Sequence, residues 1–359
     1  VSRLSYRRYL QLDRLLSSQA LESVKAGRPA HDEHLFIVVH QAYELWFKQI
    51  LHELDAVLAI LERDFVASRE LARALRYLDR IAAVQKLLLA QIDVLETMAP
   101  LDFLEFRDLL TPSSGFQSAQ FRSIENKLGL RRSERLVYNE QPYDAQFETA
   151  ERAPVLAAES SPTLFDAVDR WLGRMPFVHW RTFDFWQAYQ DNVRSMLAAD
   201  EETITAKANL STAARRLQLE ELERTRATFT AVFDAEAYAR LRERGERRLS
   251  YAAFVAALMI MLYRDEPLLQ EPYRLLTALV DIDESLTLWR YRHALMVQRM
   301  IGTKIGTGGS SGVEYLRRTV ESHRVFRDLF NLSTYLVPRS LLPPLPADLA
   351  RDLGFTTEE

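Results

Sequence analysis

The chain has 359 residues, 48% hydrophobic and 27% charged, an ordinary globular composition with room for one large domain or two smaller ones. Its net charge of −4, with lysine and arginine mixed among acids throughout, provides no field for nucleic acid, and no apolar run approaches the roughly 20 residues that span a bilayer. Cysteine is absent, which removes disulfides, thiol nucleophiles and cysteine-anchored cofactors and fits a cytoplasmic location; any metal must be held by histidine or carboxylates, or arrive inside a cofactor.

The first ten residues carry three arginines and two tyrosines and lack the apolar core of a signal peptide. Over residues 35–61, Leu35, Phe36, Val39, Ala42, Leu45, Trp46, Ile50, Leu54, Val57 and Leu61 trace a broad stripe at helical spacing. A second stripe covers residues 71–98 through Leu75, Leu78, Ile81, Val84, Leu88, Ile92 and Leu95. Pro100 closes it, and a short helix over 101–110 leads into the turn Thr111-Pro-Ser-Ser-Gly115. Residues 131–162, polar and holding three prolines, read as loop. Residues 163–248 return to helices rich in arginine and glutamate, as in a solvated subdomain. An apolar helix over 249–263 is closed by Glu266-Pro267, and another from about Tyr273 carries His293. Five of the eleven glycines then fall between Gly302 and Gly312. Residues 313–330 are helical again, and the proline-rich tail beyond Leu336 is expected over the surface. No strand alternation, hairpin signal or internal repeat is visible, so the expected fold is all-α, one main helical bundle with a helical insertion.

Such a glycine density suits backbone that bends sharply or approaches a ligand closely. The pattern does not suit phosphate. No Lys-Ser or Lys-Thr follows the glycines, and Ser311 stands where a third glycine of the dinucleotide spacing belongs. The preceding Leu286, Trp289, His293, Met296, Val297 and Met300 recur at helical spacing, where a phosphate loop needs a strand. A flexible linker is the alternative to a small-ligand loop, and the close flanking helices favour the ligand loop. His293 lies on the apolar stripe, where a hydrogen-bonded core histidine and a neutral axial ligand of a haem both fit. His40, with Phe36 one turn earlier, fits either core packing or an imidazole facing an aromatic substrate. The run His31-Asp-Glu-His34 reads as a helix start more than as a zinc site, and His52, His179 and His323 carry no supporting pattern. Phe103 and Arg107 stand one turn apart, an aromatic wall and the side chain best shaped to hold a carboxylate. A surface ion pair with Glu105 or Asp108 is the alternative for Arg107. The adjacent Ser113-Ser114-Gly115 turn gathers backbone donors and hydroxyls.

The segments His31-Asp-Glu-His-Leu-Phe-Ile-Val-Val-His-Gln-Ala-Tyr-Glu-Leu-Trp46, residues 101–121, Trp289-Arg-Tyr-Arg-His293 with Gly302-Thr-Lys-Ile-Gly-Thr-Gly-Gly-Ser-Ser-Gly312, and Asn331-Leu-Ser-Thr-Tyr335 resemble motifs of the tryptophan 2,3-dioxygenase family in the same order. That family belongs to the indoleamine/tryptophan dioxygenase superfamily, and the likeness runs from about Tyr6 to Pro338. It implies an all-α homotetramer that inserts both atoms of O2 across indole C2–C3 of L-tryptophan to give N-formylkynurenine, the first step of the kynurenine route.

By the same resemblance, His293 is the proximal iron ligand of a non-covalent haem b working through Fe(II), with O2 as co-substrate. His40 is the distal histidine that accepts a hydrogen bond from the indole N–H. Phe36 and Phe103 pack on the indole, Arg107 holds the substrate carboxylate, and Thr307 meets its ammonium and carboxylate. Ser114 and Gly115 match the turn at the distal haem face. Tyr6 and Tyr9 match an arm that reaches into a neighbouring subunit's site. The implied organisation is an arm over 1–30, a haem and substrate core over 31–130 and 249–338, a loop and charged subdomain over 131–248, and a tail over 339–359. The chain departs from the pattern in modest ways. Arg7 and Arg8 separate the two tyrosines, Thr111 stands where a serine is frequent, and residues 131–248 match the longer, animal-type members better. Insertion of a single oxygen into a tryptophan derivative at the same site is the alternative, followed by a haem- or indole-binding protein without turnover.

Overall fold

Helical periodicity becomes helix almost throughout the described residues, which in this computed structural model are 3–136, 142–145, 147–302 and 312–354. They divide into two compact units. The first comprises Val1–Ala56, Tyr77–Thr163 and Asp281–Val325, and the second Val57–Arg76, Leu164–Val280 and Phe326–Glu359. Among the described residues, no helix is long and apolar enough to cross a membrane.

The first unit takes residues 33–56 from the helix Glu33–Leu61, residues 77–95 from Ser68–Leu95, and residues 281–301 from Pro267–Ile301. Tyr43, Phe47, Ile50 and Leu54 repeat every three or four residues, fall on one face and are buried, as are Leu78, Ile81, Val84, Leu88, Ile92 and Leu95. Polar ties fix the register of the helices. The Tyr43 hydroxyl donates to the Leu88 carbonyl at 2.8 Å, and Gln91 Nε2 donates to the Val39 carbonyl at 2.6 Å. Gln85 Nε2 reaches the Ile282 carbonyl at 3.1 Å, and Arg292 pairs with Asp93 at 2.6 Å. The ten-residue helix Ala119–Leu128 is capped by Ser118, whose hydroxyl accepts from Phe121 N–H while donating to Glu44 at 2.6 Å.

Three expectations change in this unit. The helix expected over 101–110 is interrupted: Pro100–Leu104 is α-helical, the fully buried Phe106 leaves helical geometry at φ −124°, and Arg107–Leu110 forms a 3-10 turn. Burying Phe106 turns the backbone there. Pro100 does not end the preceding helix, which stops at Leu95; it occupies the first turn of the next, where its missing N–H has no intrahelical partner to lose. Part of the segment expected as loop, Thr149–Ser160, is helical, with Val155 fully buried and its carbonyl accepting from Asn126 Nδ2 at 3.0 Å.

The second unit is organised around Tyr251–Leu262, apolar on nearly all sides and almost wholly buried, as a helix at the centre of a core must be. Tyr189 and Tyr238 pack in the same core, and the Asp328 carboxylate accepts the Arg248 and Leu249 backbone N–H groups at 2.6 and 2.7 Å. A two-residue antiparallel pair, His179–Trp180 with Phe183–Asp184, turns through Arg181 at φ +53°. Two residues a side are too few to make an alternation, which is why no strand was legible there. The tail expected over the surface instead folds in. Ala347–Leu353 is helical, with Leu349 and Leu353 fully buried four residues apart, and the Tyr263 hydroxyl donates to the Pro343 carbonyl at 2.6 Å.

Candidate active site

Within the first unit, Phe36, His40, Phe103, Arg107, Ser114, Gly115 and His293 all line one cavity of about 300 Å³. Residues up to 257 positions apart in sequence therefore meet at one wall-lined space, whose walls are mainly apolar through Met296, Val297, Met300, Phe121 and Leu316. Thr307 and the glycine run from residue 303 to 311 lie outside the described residues. Gly302, just past the end of the His293 helix, adopts φ +61°, the left-handed geometry that a side chain would strain, and its N–H caps the Gln298 carbonyl at 2.9 Å. Tyr6 and Tyr9 do not join the cavity of their own chain; they are 75% and 70% exposed on a four-residue helix.

His40 borders the cavity, so its ring has open surface, yet protein atoms enclose it and desolvation lowers its pKa against the opposing pull of the Phe36 carbonyl and Glu44. Its Nδ1 lies 2.7 Å from the Phe36 carbonyl oxygen. A carbonyl can only accept, so Nδ1 carries the proton and Nε2 keeps its lone pair. The Phe36 ring sits 4.1 Å from the His40 ring and 5.7 Å from both Phe103 and Phe106, which makes a continuous aromatic wall. Arg107 is half-buried at this wall. Asp108, one of the two carboxylates that could have taken it at the surface, pairs with Arg28.

His293 is the more strongly perturbed histidine. Burial, and next the nearby charge of His40, push it down to about 4, so the imidazole is neutral at pH 7. Its ring lies 5.0 Å from that of Trp289 and within 7° of parallel, which fixes the plane of the imidazole. Its Nδ1 is buried and has no hydrogen-bond partner among the described residues. Ser114 caps the short turn Gly115–Gln117, accepting from Phe116 N–H at 3.3 Å while Gln117 accepts the Ser114 N–H at 3.0 Å. A Cβ placed on Gly115 would meet nothing within 4 Å, so the absence of a side chain there leaves room in the cavity.

Several residues of this wall went unread in the sequence. Glu125, 1% exposed, is bonded to Arg122 at 2.9 Å, Arg135 at 2.6 Å and Arg290 at 2.8 Å, all three guanidiniums being buried. Burial alone would raise the Glu125 carboxyl, but Arg135, Arg122, the His323 ring and Arg290 together hold it well below the ordinary carboxylate range. His323 accepts the Leu136 N–H through Nε2 and turns Nδ1 toward Glu125 at 3.6 Å; burial lowers its pKa, and it completes the cluster as a neutral ring. The wall is thus left with more positive than negative charge. The only local sign was the three-residue spacing of Arg122 and Glu125. Tyr43, whose hydroxyl burial pushes up to about 12, and Glu44, which binds Ser118 and Gln120, also line the cavity.

An all-α unit enclosing an apolar cavity, with a neutral imidazole on its wall beside aromatic rings and a guanidinium, defines a helical enzyme of small aromatic ligands. Among the described residues no group of three or more His, Cys, Asp or Glu side chains could hold a bare metal ion. The family model described as tryptophan 2,3-dioxygenase matches residues 1–336. The tryptophan 2,3-dioxygenase of Bdellovibrio bacteriovorus is 49% identical to this chain, covering 98% of each. Those of Dictyostelium discoideum and Anopheles gambiae are 46% and 45% identical, covering 98% and 97% of this chain and 88% and 89% of their own. This chain belongs to the tryptophan 2,3-dioxygenase family.

Proposed function

We propose that the cavity of the first unit is the catalytic site, and that it holds haem b and L-tryptophan side by side. As a member of its family, the chain is a haem-dependent dioxygenase that converts L-tryptophan to N-formylkynurenine. The observation that carries the assignment to this cavity is His293: a neutral ring on an apolar wall, with its Nδ1 orphaned and its plane fixed by Trp289. A neutral imidazole on an apolar wall, its Nδ1 without a partner among the described residues, would hold the iron of a haem. The open space at Gly115 fits the approach of a flat macrocycle, and the excess positive charge around Arg122 and Arg290 suits the carboxylates on its edge.

When bound, haem supplies the activation of dioxygen. The side chains of this chain supply position and protons. Phe36 and Phe103 offer their faces to the indole. His40, protonated on Nδ1 by its bond to the Phe36 carbonyl, has Nε2 ready to accept the indole N–H. That is an orienting role: the indole N–H is a very weak acid, and an imidazole of lowered pKa is a poor base for it. Arg107 forms a charge-assisted pair with the substrate carboxylate, and Thr307 meets the ammonium and carboxylate from the glycine loop. Clamping the amino-acid end fixes the ring, so binding is converted into alignment. The apolar wall excludes water and strengthens each of these contacts. Tyr6 and Tyr9, exposed on their own chain, belong to an arm that completes the site of a neighbouring subunit in a homotetramer.

The test is to reduce the haem-loaded protein anaerobically, mix it with L-tryptophan and O2, and weigh the product. Two added oxygen atoms agree with the proposal. One added atom would replace it with monooxygenation.

A further inference from the structure

The turn that carries Arg107 has little of its own to hold it. Arg107–Leu110 is a 3-10 turn of four residues, a geometry of poor internal hydrogen bonds, so its place depends on what it packs against. On one side the preceding residue, Phe106, is fully buried. On another it packs against Glu22–Lys25, a short helical segment that the catalytic site does not use. Just beyond that segment, Arg28 forms an ion pair with Asp108, the residue next to Arg107.

The segment is tied down along its length although much of it lies at the surface. The Glu33 carboxylate, 1% exposed, accepts the Glu22 N–H at 2.7 Å and the Ser23 N–H at 2.9 Å. The fully buried Ser23 hydroxyl accepts the Ala30 N–H at 3.0 Å. Gly27 takes the left-handed geometry at φ +74°, its N–H bonds the Val24 carbonyl at 3.1 Å, and the Arg28 N–H bonds the Ser23 carbonyl at 2.9 Å. Those two bonds close a helix end and fix the direction in which the chain leaves it. The backbone of Arg28 is therefore held before its side chain reaches Asp108. Exposed ion pairs are weak largely because two mobile side chains must be ordered, and here one of the two starts from a fixed frame.

Glu33 stands in the first turn of the helix Glu33–Leu61, which also carries Phe36 and His40. The bonds from Glu33 through Ser23 and Arg28 to Asp108 thus join the helix that faces the indole to the turn whose guanidinium faces the carboxylate. We propose that Arg28 and Glu33 are positioning residues that set the spacing between the aromatic wall and Arg107, and so match the site to the length of a free amino acid. The inference rests on the assignment of Arg107 to the substrate carboxylate given above. Neither residue touches the substrate. A clamp misplaced by about 1 Å can nevertheless cost on the order of 100-fold in rate, so loosening its anchor is visible in turnover.

The test measures kcat/KM for L-tryptophan on the haem-loaded protein, together with the Kd of L-tryptophan read from the Soret band. Arg28→Ala and Asp108→Asn are each expected to lower kcat/KM by about 3–5-fold, the upper end for an exposed ion pair, and the double variant to lose no more than either alone. Arg28→Lys keeps the charge and should restore most of the loss. Glu33→Gln, which removes a buried charge from two backbone donors, should lose about 10-fold. Lys25→Ala breaks the neighbouring exposed pair with Glu22 and should leave kcat/KM and Kd at the wild-type values. The deciding comparison is Arg28→Ala in an Arg107→Ala background, where no further loss is expected because no clamp is left to position. An equal loss with and without Arg107 would make Arg28 a general support of the fold and overturn the inference. So would wild-type values for Arg28→Ala, or a loss in Lys25→Ala as large as its own. If Arg107→Ala alone keeps the wild-type kcat/KM, the assignment of Arg107 to the carboxylate falls, and this inference falls with it.

Discussion

Replacing Glu125 with glutamine tests the buried charge cluster on the cavity wall. Glutamine keeps the shape of the side chain and one acceptor oxygen but removes the anion that three buried guanidiniums share at 2.6–2.9 Å. Removing one partner of a buried ion pair costs about 3–5 kcal/mol, because the remaining charge stays desolvated and uncompensated. Here three cations face that loss, so the range is a floor for the haem-free protein. At about 2–4 °C per kcal/mol for a unit of this size, the melting temperature is expected to fall by on the order of 10 °C. The pH dependence has a definite sign. The folded-state pKa of Glu125 is held well below its ordinary value of 4.5, so its contribution is fully present above that value and is lost as pH falls toward the folded pKa. The gap between wild type and Glu125→Gln should therefore be constant from pH 7 to about pH 5 and narrow below 4.5. Thermal unfolding followed by circular dichroism at several pH values measures this. A melting temperature within about 2 °C of wild type at pH 7 would refute the reasoning, as would a gap unchanged well below pH 4.

His293→Ala is expected to purify with helical circular dichroism and no Soret band, whereas retention of normally ligated haem would remove His293 from the site. His40→Ala should lower turnover and leave a measurable remainder; complete loss with haem still bound would mean that His40 does more than orient. Arg107→Ala is expected to reduce kcat/KM for L-tryptophan by about 10–100-fold, the worth of a charge-assisted hydrogen bond of roughly 1.5–3 kcal/mol, and Arg107→Lys to restore little because it lacks the bidentate fork. An unchanged kcat/KM for Arg107→Ala would dissociate this guanidinium from the substrate. Leu54→Ala, at a fully buried position in the first unit away from the cavity lining, should cost about 2–5 kcal/mol in urea unfolding and leave the haem spectrum alone. A loss under about 1 kcal/mol would mean the core there collapses around the gap.

What the amino-acid sequence determined by itself is what local periodicity and composition encode. The recurrence of Val39, Ile50 and Leu54 names a buried helix face because a side chain's face in a helix depends only on its position along the chain, although Leu45, read on the same stripe, is 54% exposed and Tyr43 and Phe47 are buried in that turn instead. The placement of His293 and His40 on such faces was legible for the same reason; Phe103 and Arg107 reach the same cavity, although the helix turn expected to pair them is broken at Phe106. Where a local rule competed with packing, packing won. Phe106 breaks the helix expected through 101–110 in order to be buried, and Leu349 and Leu353 draw the supposed surface tail into a core. Only the tertiary structure decided the burial that lowers the His40 pKa and the cluster that ties Glu125 to Arg290 across 165 residues. A buried charge leaves no periodic trace in a sequence. Its partners are whichever groups the fold brings within about 3 Å, and that depends on how helices pack, which spacing along one helix does not record.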